Sequence, residues 1–324
     1  MTSTPTATGT PCIALLSERI DLRYLAPAFR AACPGIELRH GTGIDALGAL
    51  DEIDAAVCWF PPHGLLAQLP RLRLVQSLAA GVEHITLDAS LPPQVPLCRI
   101  VDADMALGMN AYVCGAVIRQ QRSLDHYRAL AAQARWEPRH PQSPEQHTVG
   151  IAGLGHLGTA CASALAAIGY RVRGWSRSAK STGPAGVQAF HGAEQLDDFL
   201  GGCNTLVCLL PLTGETEGFL DARCFARLPH GAHVINVGRG AHLVEADLLD
   251  ALVSGQIAAA TLDAFITEPL PSDHPFWHNA RITVTPHIAT RTSLAVIARQ
   301  TLENLAQIDS GLHPLRSVDT RRGY

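Results

Sequence analysis

The stretch Thr148 to Gly158, TVGIAGLGHLG, runs from an apolar, strand-like segment into a glycine-rich turn and then into a helix-like segment, His156–Ile168. Gly153, Gly155 and Gly158 have the G-x-G-x-x-G spacing, in the strand–turn–helix setting that gives this spacing meaning. Gly153 permits the tight turn, Gly155 lets the backbone approach a pyrophosphate, and Gly158 lets the helix pack closely on the strand. Backbone N–H groups and the positive helix end then face the phosphates. Expected cofactor contacts in this turn are Gly153, Leu154, Gly155, His156, Leu157 and Gly158.

An NAD ribose is usually held by an acid at the end of the next strand, about 20 residues on. Here that strand ends in RGWSRSAK, so Trp175, Ser176 and Arg177 occupy the place of the acid. No carboxylate is expected there to repel a 2′-phosphate, while Arg177, Ser178 and Lys180 offer charge-assisted hydrogen bonds to one. The expected cofactor is NADP, with NAD the weaker alternative.

The turn belongs to a longer pattern. Apolar runs alternate with helix-like segments through most of the chain, as in parallel sheets with crossover helices. The first third offers strands Cys12–Leu16, Ile36–Arg39, Ala55–Trp59, Leu74–Ser77 and Leu97–Ile100. A long helix is expected over Gly108–Ala134. A second series follows: strands Thr148–Ala152, Arg171–Trp175, Thr205–Leu210, His233–Asn236, Ala258–Asp263 and Ile282–Thr285, with a further helix at Glu245–Ser254. After Thr290 there remains one amphipathic helix to about Ser310, too little to fold alone.

With 324 residues and 47% hydrophobic composition, the chain can fill more than one core. A formal net charge of −4 gives no basic footprint for nucleic acid or an anionic membrane surface, so a small-molecule partner is expected. The nine cysteines show no paired framework and no zinc spacing, so a fully disulfide-bonded secreted protein is not expected, most cysteines are expected reduced in the core, and no metal is expected. There is no signal-like start and no apolar run of about 20 residues, which points to the cytoplasm and away from a membrane.

Three later segments, VINVGRGAHLVE, ATLDAFITEPLP and TVTPHIAT, each place a polar group just beyond a buried strand's carboxyl end, where open parallel sheets bind ligands. They bring Arg239, Asp263 with Glu268, and His287 toward one edge. An arginine fork binds a carboxylate bidentately and polarises a neighbouring ketone. Histidine is the residue type that donates and accepts protons near neutrality. A glutamate bonded to its other ring nitrogen fixes the tautomer and favours the protonated form. The set suits hydride transfer to a ketone beside a carboxylate, with Arg239, Glu268 and His287 as catalytic residues. Each of the three taken alone also fits a structural role.

The segments GLGHLG, LLPLT (Leu209–Thr213), NVGRG (Asn236–Gly240), LDAFITEPLP (Leu262–Pro271) and TPHIA (Thr285–Ala289) resemble successive signatures of the D-isomer-specific 2-hydroxyacid dehydrogenases. Within that family the chain is most similar to the NADPH-dependent glyoxylate/hydroxypyruvate reductase A branch, through WSR, EPLP and the ending VDTRRGY. The resemblance implies a Rossmann cofactor domain, residues 105–288, inserted into a flavodoxin-like substrate domain made of residues 1–104 and 289–324. Both are doubly wound α/β domains, and the C-terminal helix completes the first. The resemblance also implies cofactor contacts at Leu210, Pro211, Val237, Gly238 and Asp263, besides Arg239 and His287. Substrate contacts are implied at Trp59, Ala80 and Gly81, again with Arg239 and His287. Family members are generally homodimers through the cofactor domain, and Trp136 lies where the partner is often reached. Gly238 departs from the family's usual alanine or serine, and Asn110-Ala111-Tyr112 lacks the acidic residue often found before that tyrosine.

The activity so implied is NADPH-dependent reduction of small 2-oxo acids, glyoxylate and hydroxypyruvate, to 2-hydroxy acids. Alternatives are a dehydrogenase for another D-2-hydroxy acid and a dinucleotide-sensing interaction protein of the corepressor type. Formate oxidation is disfavoured, because a pure hydride transfer has no use for an acid–base pair. Among the other histidines, His84 stands out because it lies close to Ala80 and Gly81.

Overall fold

Strands buried on both faces should be apolar at successive positions, and the central strands of the second series are. In β9 (Thr205–Cys208), Leu206 and Cys208 enter one core while Val207 enters another. In β10 (Ala232–Asn236), Val234 and Ile235 divide the same way. Each core therefore fills one face of a single sheet, as the period of two requires.

In the computed structural model the chain divides into two units, Met1–Asp102 with Thr292–Tyr324, and Ala103–Arg291. The structure describes residues 10–179 and 184–319. Lys180 and the end of VDTRRGY lie outside the described residues. Among those described, no helix is long and apolar enough to cross a membrane. The sequence reading set the divisions at 104/105 and 288/289. The helix Ala103–Gln121 begins earlier than expected, and the Thr290 hydroxyl donates to the Met105 carbonyl at 2.8 Å, which ties both ends of the second unit to itself.

The first unit holds a parallel sheet of five strands, β1 (Cys12–Leu16), β2 (Glu37–Gly41), β3 (Ala55–Cys58), β4 (Leu74–Ser77) and β5 (Leu97–Cys98), in the order β2-β1-β3-β4-β5. That is the flavodoxin-like order. The C-terminal helix Leu294–Asp309 packs in this unit against the helix Ala26–Ala32. Its polar anchors are buried. Asn304 Nδ2 donates to Gln76 Oε1 at 2.8 Å, and Gln300 bonds both the N–H (3.2 Å) and the carbonyl (2.7 Å) of Val101.

The second unit holds a parallel sheet of seven strands. Besides β9 and β10 these are β6 (Thr148–Ala152), β7 (Arg171–Ser176), β8 (Val187–His191), β11 (Ile257–Leu262) and β12 (Ile282–Val284), in the order β12-β11-β10-β9-β6-β7-β8. Two expectations need correction. The long helix is two, Ala103–Gln121 and Leu124–Ala131, because Ser123 takes a left-handed φ of 53° that no helix interior accommodates. The sequence reading also passed over β8, a half-exposed edge strand whose segment VQAFH lacks the apolar run of its neighbours.

Replacing Asn304 by leucine leaves Gln76 Oε1 buried without its donor. The Asn304→Leu variant should lose about 1–3 kcal/mol of unfolding free energy, measured by urea denaturation.

Candidate active site

The glycine turn leaves β6 at the middle of its sheet. Gly153 has a φ of +107°, and a β-carbon there would lie 2.6 Å from the Leu209 carbonyl oxygen. A β-carbon on Gly158 would lie 1.8 Å from the Gly153 oxygen, so the helix meets the turn backbone to backbone. In front of Gly155, among the described residues other than its chain neighbours, no heavy atom lies within 4 Å of where its β-carbon would stand. Gly155 also opens the helix His156–Ile168, whose first turn has no side-chain cap. The cradle is closed behind and open in front, and it fits a pyrophosphate.

The residues after the turn divide between core and surface. Leu154 is buried. Trp175 is also turned inward, its Nε1 donating to the Gly192 carbonyl at 2.9 Å and its ring stacked 5.8 Å from Phe219. What Trp175 presents to the turn is its carbonyl, which accepts from Gly153 N–H at 2.9 Å. Ser176 Oγ donates to the Ser178 carbonyl at 2.9 Å. Arg177 is exposed, and its Nη1 stands 2.5 Å from Glu215 Oε2. The expectation of no carboxylate at this end is therefore corrected. Glu215 lies far down the chain, but β9 and β7 flank β6, so the loops after them face each other across the turn.

Arg239, Glu268 and His287 leave β10, β11 and β12, which are neighbours in the sheet. Their loops touch as backbone. A β-carbon on Gly240 would fall 1.9 Å from the Phe265 carbonyl carbon, so only glycine lets the Arg239 turn lie against the loop after β11. The Arg239 backbone is held at both ends: Asn236 Nδ2 donates to its carbonyl at 2.9 Å, and its N–H donates to His242 Nδ1 at 3.0 Å. His242 is fully buried, and its Nε2 lies 3.3 Å from the Pro211 carbonyl, so the proton belongs on Nε2. Sequence reading missed His242 because a histidine six residues after a strand has no pattern of its own. Gly238 gives the ring room, since a β-carbon there would lie 2.8 Å from His242 Nδ1. Leu210 and Val237 are buried beside this loop, and the Pro211 carbonyl also accepts from Thr216 Oγ1 at 2.6 Å.

His287 Nδ1 lies 2.9 Å and 3.1 Å from the two Glu268 oxygens, leaving Nε2 as the ring's outer atom. Burial opposes ionisation of Glu268, but hydrogen bonds from His287 and the Phe265 N–H, with the charges of His287 and Arg239, outweigh it and hold the carboxyl below its ordinary value. The pair is an imidazole oriented by a carboxylate. Asp263 is almost wholly buried and accepts three hydrogen bonds, from Thr285 Oγ1 (2.5 Å), Ile288 N–H (2.9 Å) and Ala289 N–H (2.8 Å). Tyr112 Oη meets Thr285 Oγ1 at 2.5 Å. The carboxylate thus braces the His287 loop, a use that sequence reading did not assign it.

The remaining candidates lie in the first unit. Ser77 Oγ donates to the Gly81 carbonyl at 2.7 Å and accepts from Ala79 N–H at 3.1 Å, which shapes the Ala80–Gly81 bend. Trp59 packs on His84 with ring centres 4.5 Å apart, and Phe60 lies 5.3 Å from the same ring. The His84 side chain is buried, and among the described residues neither ring nitrogen has a hydrogen-bond partner. Trp136, in the second unit, is 95% exposed.

A family model described as D-isomer specific 2-hydroxyacid dehydrogenase, NAD binding domain, matches residues 114–289. The chain belongs to the D-isomer specific 2-hydroxyacid dehydrogenase family. It is 46% identical over 276 residues to glyoxylate/hydroxypyruvate reductase A of Serratia proteamaculans, covering 84% of this chain and 88% of that protein. A dehydrogenase of the same family from Xanthobacter autotrophicus, solved with NADPH and MES, superposes with a TM-score of 0.90 at 40% identity, covering 98% of this chain and all (100%) of that one. An NADPH-dependent glyoxylate/hydroxypyruvate reductase from Sinorhizobium meliloti, solved with NADP and sulfate, gives 0.88 at 35% identity, covering 98% and 100%. As a family member the chain is a dehydrogenase acting on a small molecule.

Glu268 is depressed on folding, so its contribution to stability is complete above the ordinary carboxyl value of 4.5 and is lost as pH falls through its lower folded value. The gap in unfolding free energy between the parent and Glu268→Gln should hold from neutrality down to about 4.5, then shrink and close in stronger acid. Urea titrations over that pH range check it.

Proposed function

We propose that this dehydrogenase reduces small 2-oxo acids, glyoxylate and hydroxypyruvate, to 2-hydroxy acids with NADPH. The observation that carries the reading is the His287–Glu268 pair on loops adjoining that of Arg239. The names of the relatives and the ligands of the solved neighbours support the substrate class and the cofactor.

In this reading the glycine turn holds the pyrophosphate, and Arg177 with Ser178 holds the 2′-phosphate. NADPH, when bound, supplies the hydride that adds to the ketone carbon. Arg239 binds the substrate carboxylate with its planar fork and draws charge toward the ketone oxygen. His287 gives that oxygen a proton from Nε2, and Glu268 stabilises the imidazolium before transfer. The products are a 2-hydroxy acid and NADP⁺, with one proton consumed. In the first unit, Trp59 and the Ala80 and Gly81 amides serve substrate binding.

Asn236, His242 and Asp263 act through others. The first two fix the backbone from which Arg239 projects, and Asp263 fixes the loop of His287. None of the three needs to meet substrate for its loss to be felt.

His287→Ala should lower kcat by about 10²–10⁴-fold and Arg239→Ala should abolish measurable turnover. Both should bind NADPH nearly as the parent does, by fluorescence titration. Full activity in either variant would overturn the proposal.

A further inference from the structure

The loops after β7 and β9 flank the glycine turn, because β6 lies between those two strands. Across that gap Arg177 Nη1 meets Glu215 Oε2 at 2.5 Å, joining the two loops by an ion pair in front of β6. The two sides differ in rigidity. The Glu215 backbone sits in a turn closed by Thr216 N–H and Glu217 N–H, both donating to the Thr213 carbonyl at 3.0 Å and 2.9 Å. That turn is pinned by Thr216 Oγ1, which donates to the Pro211 carbonyl and accepts from Thr213 N–H at 2.9 Å. Arg177 reaches it as a long side chain from the end of a strand.

Both side chains are open to solvent, 46% for Arg177 and 68% for Glu215. Such a pair is weak and readily exchanged. A 2′-phosphate at this end of the site carries close to two negative charges and three acceptor oxygens. It competes with the Glu215 carboxylate for the guanidinium and is repelled by that carboxylate as well. A ribose with a free 2′-hydroxyl does neither.

We propose that Glu215 is a displaceable counter-ion for Arg177, which lowers affinity for the 2′-phosphorylated dinucleotide and so sets how far the enzyme prefers NADPH to NADH. The inference rests on the reading of Arg177 as a 2′-phosphate ligand. In it, a dinucleotide without the phosphate leaves the pair closed, whereas one with the phosphate takes the guanidinium away from the carboxylate. The weak pair tempers the preference and does not block it.

Calorimetric titration of the full chain with 2′,5′-ADP and with 5′-AMP isolates the phosphate, since the probes differ by that group alone. Glu215→Gln should tighten 2′,5′-ADP by roughly twofold to fivefold and leave 5′-AMP as in the parent, which also reports that the variant is folded. Arg177→Ala should weaken 2′,5′-ADP selectively. If Arg177→Ala does so but Glu215→Gln leaves 2′,5′-ADP unchanged or weaker, the counter-ion role is overturned and the reading of Arg177 stands. If Arg177→Ala leaves the ratio of the two probes unaltered, the reading of Arg177 falls and the inference falls with it.

Discussion

The buried carboxylate of Asp263 braces the edge of the sheet from which Arg239, Glu268 and His287 project. It leaves the end of β11 and takes three hydrogen bonds from the segment that follows β12, one from a hydroxyl and two from amides. Within that segment His287 adopts a φ of +52°, a conformation that costs a non-glycine residue of the order of 1–3 kcal/mol and persists only where its surroundings over-determine it. Asp263 supplies that determination from one side, and Glu268 from the other by bonding the ring. An imidazole on an unbraced loop would relax to ordinary backbone and lose its aim.

The same economy recurs around Arg239. Its guanidinium donates to the Gly238 carbonyl at 2.8 Å, while Asn236 and His242 fix its backbone. His242 also reaches the Pro211 carbonyl, which belongs to the loop after β9. One buried ring therefore connects the arginine's turn to a loop beside the glycine cradle. Groups fixed in this way need no reorganisation at the moment of reaction.

Much of this was legible in the chain. The glycine spacing, the apolar strands and the polar residue after each of β10, β11 and β12 were periodic or local, and local patterns survive without coordinates. What escaped depends on sheet order. Glu215 reaches Arg177 only because β9 and β7 flank β6, and no spacing in the sequence says so. Trp175 read as a cofactor neighbour because it precedes Ser176, yet its ring packs inward on Phe219. β8 escaped because an edge strand shows weaker alternation than a buried one, and the break at Ser123 because a single left-handed residue leaves no compositional mark.

The proposed chemistry is reduction of a small 2-oxo acid at this edge of the sheet, with a dinucleotide chosen for its 2′-phosphate. The most direct measurement is the loss of NADPH absorbance with glyoxylate and with hydroxypyruvate, each repeated with NADH. If the proposed chemistry holds, NADPH is oxidised fast by both acids and NADH much more slowly. Tight dinucleotide binding without turnover of either acid would contradict it, leaving the cradle correctly read and the chemistry misassigned.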